Sequence, residues 1–372
     1  MKNRNITYAS VSDYKALLRF EKKVFRAPFL RIMPKMYKER EKCAAYHRLV
    51  KSGNKIVGAY AAYPNEFITS HGCLKAVGIG SVAVSKKHRG EGIMSQMMGH
   101  AESEARESKT DIGYLSGYRH RYERFGYVPC GERYVYDVTQ HYIKRSKTEK
   151  NFSFSPVHKC RESLSDISAL FEKQSVHWKR EKEEFSDIVS TWSDKCFVIY
   201  DGEKRFSGYL ITNALIKEIN EIQLCEASLL SDVIVSFAKK FSKKEISVCF
   251  APWQEELLRE IGTFGEHFHV RVSASIKFFS FKKPIEIMMN EKLNKHALCE
   301  GSIVLKLGEE TLRVTVKNRA CEVAECDSAP DIMFSYSEAV TALTTHHAIA
   351  HNALFKAWSP MCPIAVPHVD MV

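Results

Sequence analysis

No stretch of the 372 residues holds the roughly 18 consecutive apolar side chains that a membrane-crossing helix needs. The opening segment, Met1 to Ser12, has no apolar core of a secretion signal. The chain is therefore expected in the cytoplasm, without membrane insertion. Cys-x-x-Cys pairs are absent as well. The eleven cysteines are odd in number and scattered singly, and six of them (Cys43, Cys73, Cys196, Cys225, Cys249, Cys299) fall in runs that read as strand or helix. Reduced, mostly buried thiols are expected, rather than a disulfide framework or a zinc site. Acidic residues are the scarcer charge, 44 against 55 basic, for a formal net charge of +11. The basic residues are spread along the whole chain, so a solvated basic surface is expected and no nucleic-acid partner.

What is present reads as alternating helix and strand, long enough for two or three domains. Asp13 to Phe25 has helical spacing behind a Ser12-Asp13 start, and Lys55–Tyr63 and Ala76–Val84 read as strands. Ile93 to Arg106 is a helix with Ile93, Met94, Met97, Met98, Ala101 and Ala105 on one stripe, and Asp111 to Ser116 is a short strand. Gln140 to Asn151 is polar and Lys-rich and reads as a linker. A second block has a similar alternation, with a helix near Leu164 to Lys173, strands at Cys196–Tyr200, Arg205–Thr212 and Glu218–Cys225, a helix Asp232–Phe241 and a strand Glu245–Phe250. No Arg-x-x-Gly stands at its strand–helix junction. Beyond Pro284 come short strands at 301–307, 311–317 and 320–326 and a helix from Ser337 to about Ala350. In the tail, Pro360, Pro363 and Pro367 exclude regular helix, while Met361, Ile364, Val366, Val369, Met371 and Val372 call for burial.

The informative stretch runs from Gly80 to Met94: a strand, a tight basic glycine turn, then an amphipathic helix. Unpaired N–H groups and the positive end of the helix dipole converge there and suit a phosphate. Gly90 and Gly92 allow close approach of the chain to such a group. From the turn alone, an ordinary β-to-α connection with solvent-facing Lys86, Lys87 and Arg89 stays equally open.

That stretch resembles the acetyl-CoA motif of the GNAT acetyltransferase superfamily, Gln/Arg-x-x-Gly-x-Gly/Ala. Arg89 and Gly92 match, and Met94 departs at the last position. About thirty residues on, Arg121-Tyr122-Glu123-Arg124-Phe125-Gly126-Tyr127 is similar to the end of the same fold. The length, the degenerate second block, the strands after Pro284 and the Pro-rich tail resemble the Eis-like (enhanced intracellular survival) family, in which a large residue at the position of Met94 is common. The resemblance implies an α/β (α+β) class: tandem GNAT domains of mixed sheet flanked by helices, plus a small sterol-carrier-like domain. It divides the chain into residues 1–140, 151–283 without cofactor motif, and 284–372, whose tail reaches the active site. It also implies a homo-hexamer.

Several roles follow from the resemblance. Acetyl-CoA is the cosubstrate, with no metal. Main chain of Val82, Ala83 and Val84 would pair with the pantetheine arm, and Arg89, Gly90, Glu91, Gly92, Ile93 and Met94 would hold the pyrophosphate. Tyr122 corresponds to a general acid that protonates the departing thiolate; Tyr118 and Tyr127 are expected to pack. Many GNAT enzymes carry a glutamate base on the strand before the turn, yet residues 75–84 contain no acid. In Eis-like proteins the chain's own C-terminal carboxylate enters the site, here that of Val372, with Asp370 or a water relay as alternatives. An α-carboxylate of ordinary pKa, about 3.3–3.7, would need burial or a relay to act as base.

The acceptor is expected to be a primary amine, on a small molecule, an aminoglycoside-like compound or a lysine. Glu21, Glu39, Glu41 and Glu66 are available for an acidic acceptor pocket, and Phe25, Phe29, Met33 and Met36 for its lining or for core. An acyl-CoA- or lipid-binding role of the third domain is the competing reading. His347 and His351 have i, i+4 spacing, but with His346, and with His267 and His269, they are expected to be ordinary surface or core histidines.

Overall fold

The structure, a computed structural model, describes residues 4–346 and 352–372. Its central feature grows from the run of small and β-branched residues before the glycine turn. Lys55–Thr69 (β1) and Gly72–Val84 (β2) form a long antiparallel hairpin, and Ile112–Leu115 (β3) adds parallel to β2. Val128–Val138 (β4) and His267–Phe278 (β5) pair with each other. Tyr14–Phe25 (α1) buries Leu17 and Glu21, and Ile93–Glu107 (α2) buries Ile93, Met97, Met98, Ala101 and Ala105. Met94, expected on the same stripe, is only partly buried and turns toward the glycine turn.

Thirteen strands form one mixed sheet. The order across it is Ile6–Tyr8, His47–Ser52, β1, β2, β3, β5, β4, Ile246–Phe250, Glu218–Leu224, Phe206–Thr212, Lys195–Tyr200 and Ser153–Pro156, with His177–Trp178 pairing β1 off this path. Read from each outer edge inward, the same six-strand pattern occurs twice, including one parallel pair followed by an antiparallel one. The innermost strands are exchanged. β5, from the second block of sequence, completes the first unit beside β3, and β4, from the first block, completes the second beside Ile246–Phe250. The two α/β blocks thus share a sheet that no linker separates. A second sheet of four strands, order Ala320–Glu325, Glu310–Lys317, Gly301–Leu307, Ile332–Phe334, packs against the helix Lys282–Lys295.

Some local expectations change. The segment read as a linker opens with a helix, Gln140–Arg145, anchored by buried Ile143 and by Tyr142 Oη at 2.8 Å from Ser231 Oγ. The helix expected from Ser337 to Ala350 spans Tyr336–Thr344 behind a Ser335/Glu338 capping box. His347 and His351 lie outside the described residues. All eleven cysteines are free; Cys225 and Cys299 are exposed rather than buried.

Candidate active site

The glycine turn builds the first wall. Gly90 and Gly92 have φ of 84° and 79°, left-handed values that a side chain would strain. They swing the chain from β2 into α2, whose first ladder bond is Gln96 N to Gly92 O at 3.1 Å. The N–H groups of Ile93, Met94 and Ser95 therefore stand outside the helical ladder at a positive helix end. They border a cleft of about 620 Å³ lined by Val24, Phe25, Val82, Val84, Arg89 and Met94, with Arg121 and Arg124 beside them. An anionic pyrophosphate and an apolar arm both fit this lining. The Glu91 side chain turns away to pair with Arg4, leaving only its main chain at the turn.

β2 and β3 form the second feature. They pair only from Ala76 to Gly78, against Ile112 to Tyr114; β2 then continues to Val84 paired with β1 alone. This parting opens the sheet between the α2 side and the opposite face. On that opposite face sits the C-terminus. A Cβ on Gly78 would lie 2.6 Å from Val372 Cγ2, and one on Gly80 would lie 2.9 Å from the Val372 carboxyl carbon. Two bare positions on one face of a strand thus make the seat of the last residue.

The tail is held along its length. All six apolar tail residues expected to be buried are so, Val372 at 6% exposure. Trp178 Nε1 donates to Ala365 O at 2.7 Å, and Tyr114 Oη to Asp370 O at 3.3 Å. The ammonium of Lys35, buried near Tyr63, donates to Val369 O at 2.7 Å and Met371 O at 2.8 Å. Burial pushes the Lys35 pKa down to about 7, although Asp370 pulls the other way. Asp370 accepts from Arg180 at 3.1 Å (Nε) and 2.7 Å (Nη2), and Arg180 also grips Glu221 through bonds of 2.8 and 2.7 Å. Burial disfavours these charges, but the opposed partners outweigh it: the Arg180 proton is held more firmly than usual, and Glu221 titrates below its ordinary range. Both Asp370 oxygens face this guanidinium, which leaves Val372 as the tail carboxylate beside β2.

Tyr122 ends a short helix, Arg119–Tyr122, and packs, partly buried, against the core cluster that holds Ile93, Leu115 and Tyr127. Its ring lies over Gly117, where a Cβ would come within 2.6 Å. Burial raises its pKa, so the phenol carries its proton at neutral pH. Tyr118 is 66% exposed, and Tyr127 is buried with its hydroxyl against Gly113. Among the described residues no His, Cys, Asp and Glu cluster could hold a metal ion. His346 instead bonds Glu132 through Nδ1 at 2.5 Å.

Sequence reasoning missed Lys35, Arg180, Glu221 and the Gly78–Gly80 seat. Glycines at 78 and 80 in a β-branched strand were the one available signal, since alternate glycines mark a close approach on one face. No local pattern marks the charged residues, which come together only through the shared sheet.

Residues 5–130 match the family model for an acetyltransferase (GNAT) domain. No curated protein matches the sequence. Solved structures do. A GCN5-related N-acetyltransferase from Anabaena variabilis aligns at TM-score 0.67 and 14% identity, over 92% of this chain and 90% of its own. One from Kribbella flavida aligns at 0.65 and 13%, over 92% and 88%. Eis1 from Mycobacterium abscessus aligns at 0.60 and 9%, over 91% and 89%. At such identities the structures speak for the fold. Among the described residues no helix is long and apolar enough to cross a membrane. The family match lies on the glycine turn and its cleft, so residues 5–130 form an acetyltransferase (GNAT) domain.

Proposed function

We propose that the protein moves an acetyl group from acetyl-CoA directly to a primary amine, with the C-terminal carboxylate of Val372 as base and Tyr122 as acid. The carrying observation is the seating of Val372 on Gly78 and Gly80, where β2 and β3 part. Arg89 and the main chain from Gly90 to Met94 bind the pyrophosphate, and the main chain of Val82, Ala83 and Val84 guides the pantetheine arm toward the gap. The amine approaches from the tail side. It loses its ammonium proton to the Val372 carboxylate and attacks the thioester carbonyl; the collapsing intermediate expels a thiolate that takes the Tyr122 proton, and the second proton leaving nitrogen restores the phenol. Val372 is buried at its apolar seat, at 6% exposure.

A three-part organisation goes with this reading: a catalytic unit (1–140), a second unit (151–283) lacking the motif and serving the tail through Arg180 and Glu221, and a sterol-carrier-like part (284–372). The two related halves of the large sheet and the separate four-strand sheet support it. The acceptor class is a small-molecule amine, an aminoglycoside-like compound or a lysine. A homo-hexamer goes with the same family reading and is tested by light scattering. Titration calorimetry with acetyl-CoA, followed by thiol-release assays over a panel of amines, tests the activity. Binding and release are expected; failure to bind acetyl-CoA contradicts the proposal.

A further inference from the structure

Behind β2 lies a chain of polar groups that the proposed mechanism does not use. Glu21, on α1, and His47, at the head of strand His47–Ser52, are both fully inaccessible to solvent. The closest approach between them is His47 Nε2 to Glu21 Oε1, 3.5 Å, and neither Glu21 oxygen has a hydrogen bond. His47 Nδ1 is 2.6 Å from Cys43 O, and a carbonyl only accepts, so Nδ1 carries a proton. Nε2 lies 3.0 Å from Tyr37 Oη, which lies 2.6 Å from Ser81 Oγ. Burial works against charging His47, but Cys43 and the Glu21 carboxylate outweigh it and hold its pKa at about 10. The resting His47 ring therefore carries protons on both nitrogens.

That charge gives the chain a direction. His47 donates from Nε2 to Tyr37 Oη, Tyr37 donates to Ser81 Oγ, and Ser81 keeps its own hydroxyl proton to give elsewhere. Ser81 stands at the irregularity of β2, where Tyr60 alone faces both Ser81 and Val82, and its φ is 51°. The bulge breaks the side-chain alternation. Val82 and Val84 pack on the α2 side, whereas Ser81 reaches Tyr37, which shares a core with Val372 on the opposite face. Ser81 thus adjoins Gly80, the seat of Val372, at the parting of β2 from β3. An extended arm leaving Gly90–Gly92 and running back along Val84 to Val82 ends there.

We propose that the Ser81 hydroxyl is a catalytic donor to the thioester carbonyl oxygen, with Tyr37, His47 and Glu21 as positioning residues that polarise it. The inference rests on the acetyl-transfer reading. As the amine nitrogen bonds to the carbonyl carbon, the carbon–oxygen π pair moves onto oxygen. Ser81 stabilises that oxyanion until the carbon–sulfur bond breaks, and no net proton passes along the chain. A fixed donor backed by a buried cation needs no reorganisation when the charge appears.

The test is the carbonyl resonance of acetyl-CoA labelled with ¹³C at the carbonyl, bound to the full-length protein, together with kcat on the amine found by screening. Ser81→Gly removes the hydroxyl yet suits the left-handed backbone, and Tyr37→Phe cuts the chain without emptying its site. In the wild type the bound resonance is expected downfield of the free thioester, and in Ser81→Gly it returns toward the free position while acetyl-CoA affinity is kept. Ser81→Gly is expected to lower kcat about 10²-fold. Tyr37→Phe lowers it less, and the double variant falls no further than Ser81→Gly. An unshifted wild-type resonance, or a folded Ser81→Gly protein that turns over like wild type, overturns the Ser81 assignment and leaves the acetyl-transfer reading standing. A wild-type protein that binds no acetyl-CoA overturns both.

Discussion

Arg180 and Asp370 come from segments 190 residues apart in sequence, and two hydrogen bonds of 3.1 and 2.7 Å join them in the interior. Glu221 holds the far side of the same guanidinium and is itself bonded by Tyr209 at 2.7 Å. Glu221 stands on Glu218–Leu224, the second unit's counterpart of β2. Where the proposed function has the first unit offer this strand to acetyl-CoA, the second uses it to anchor the tail two residues before Val372. Removing one partner leaves a buried charge uncompensated. Arg180→Ala is expected to cost about 3–5 kcal/mol of stability by denaturant unfolding. A loss typical of a surface ion pair, below about 1 kcal/mol, contradicts this placement.

Lys35 makes stability rise with pH, as a carboxylate of lowered pKa does, but in the neutral-to-alkaline range instead of the acid one. Its folded pKa, about 7, lies below the ordinary lysine value of 10.5. Between these values the unfolded chain holds a proton that the folded chain does not, so folding stability rises with pH. The penalty is complete below pH 7, and the rise is at most about 1.4 kcal/mol per pH unit. Lys35→Met removes this component. Unfolding curves from pH 7 to 9 that keep the same slope in the variant contradict the assignment.

Gly80 has no room for a side chain. Gly80→Ala places a methyl group 2.9 Å from the Val372 carboxyl carbon, so the carboxylate must move. The expected result is kcat lowered at least about 10-fold, the cost of a displaced catalytic group, with acetyl-CoA affinity unchanged, since the glycine turn is untouched. Equal turnover means that the seat is unrelated to catalysis.

In the proposed mechanism, Tyr122→Phe removes the proton that the thiolate takes. A loss of about 10²–10⁴-fold in kcat is expected with calorimetric acetyl-CoA binding retained. Arg89→Ala combined with Gly92→Asp does the reverse and abolishes binding, because a carboxylate at a helix start repels phosphate. If the two variants behave alike, the roles are wrongly divided.

Much of the first unit was legible in the sequence, because strand, glycine turn and α2 are neighbours whose periodicity is local. The burial of Val366, Val369, Met371 and Val372 was legible from apolarity alone. The exchange of β4 and β5 was not, since pairing His267–Phe278 with Ile112–Leu115 depends on contacts across more than 150 residues. Val128–Val138 went unread because Pro129, Gly131 and Asp137 interrupt its pattern; Gly131, at φ 72°, is where Ile364 O presses on the strand. Lys35 and Arg180 look like surface residues until the tail closes over them.

The most direct test of the account is one glycine added after Val372. The extension moves the carboxylate away from Gly80 and keeps every other side chain. The account expects kcat to fall about 10²-fold or more, as for loss of a general base, while acetyl-CoA affinity and thermal stability stay at wild-type values. Unchanged turnover would contradict it and remove the C-terminal carboxylate from the chemistry.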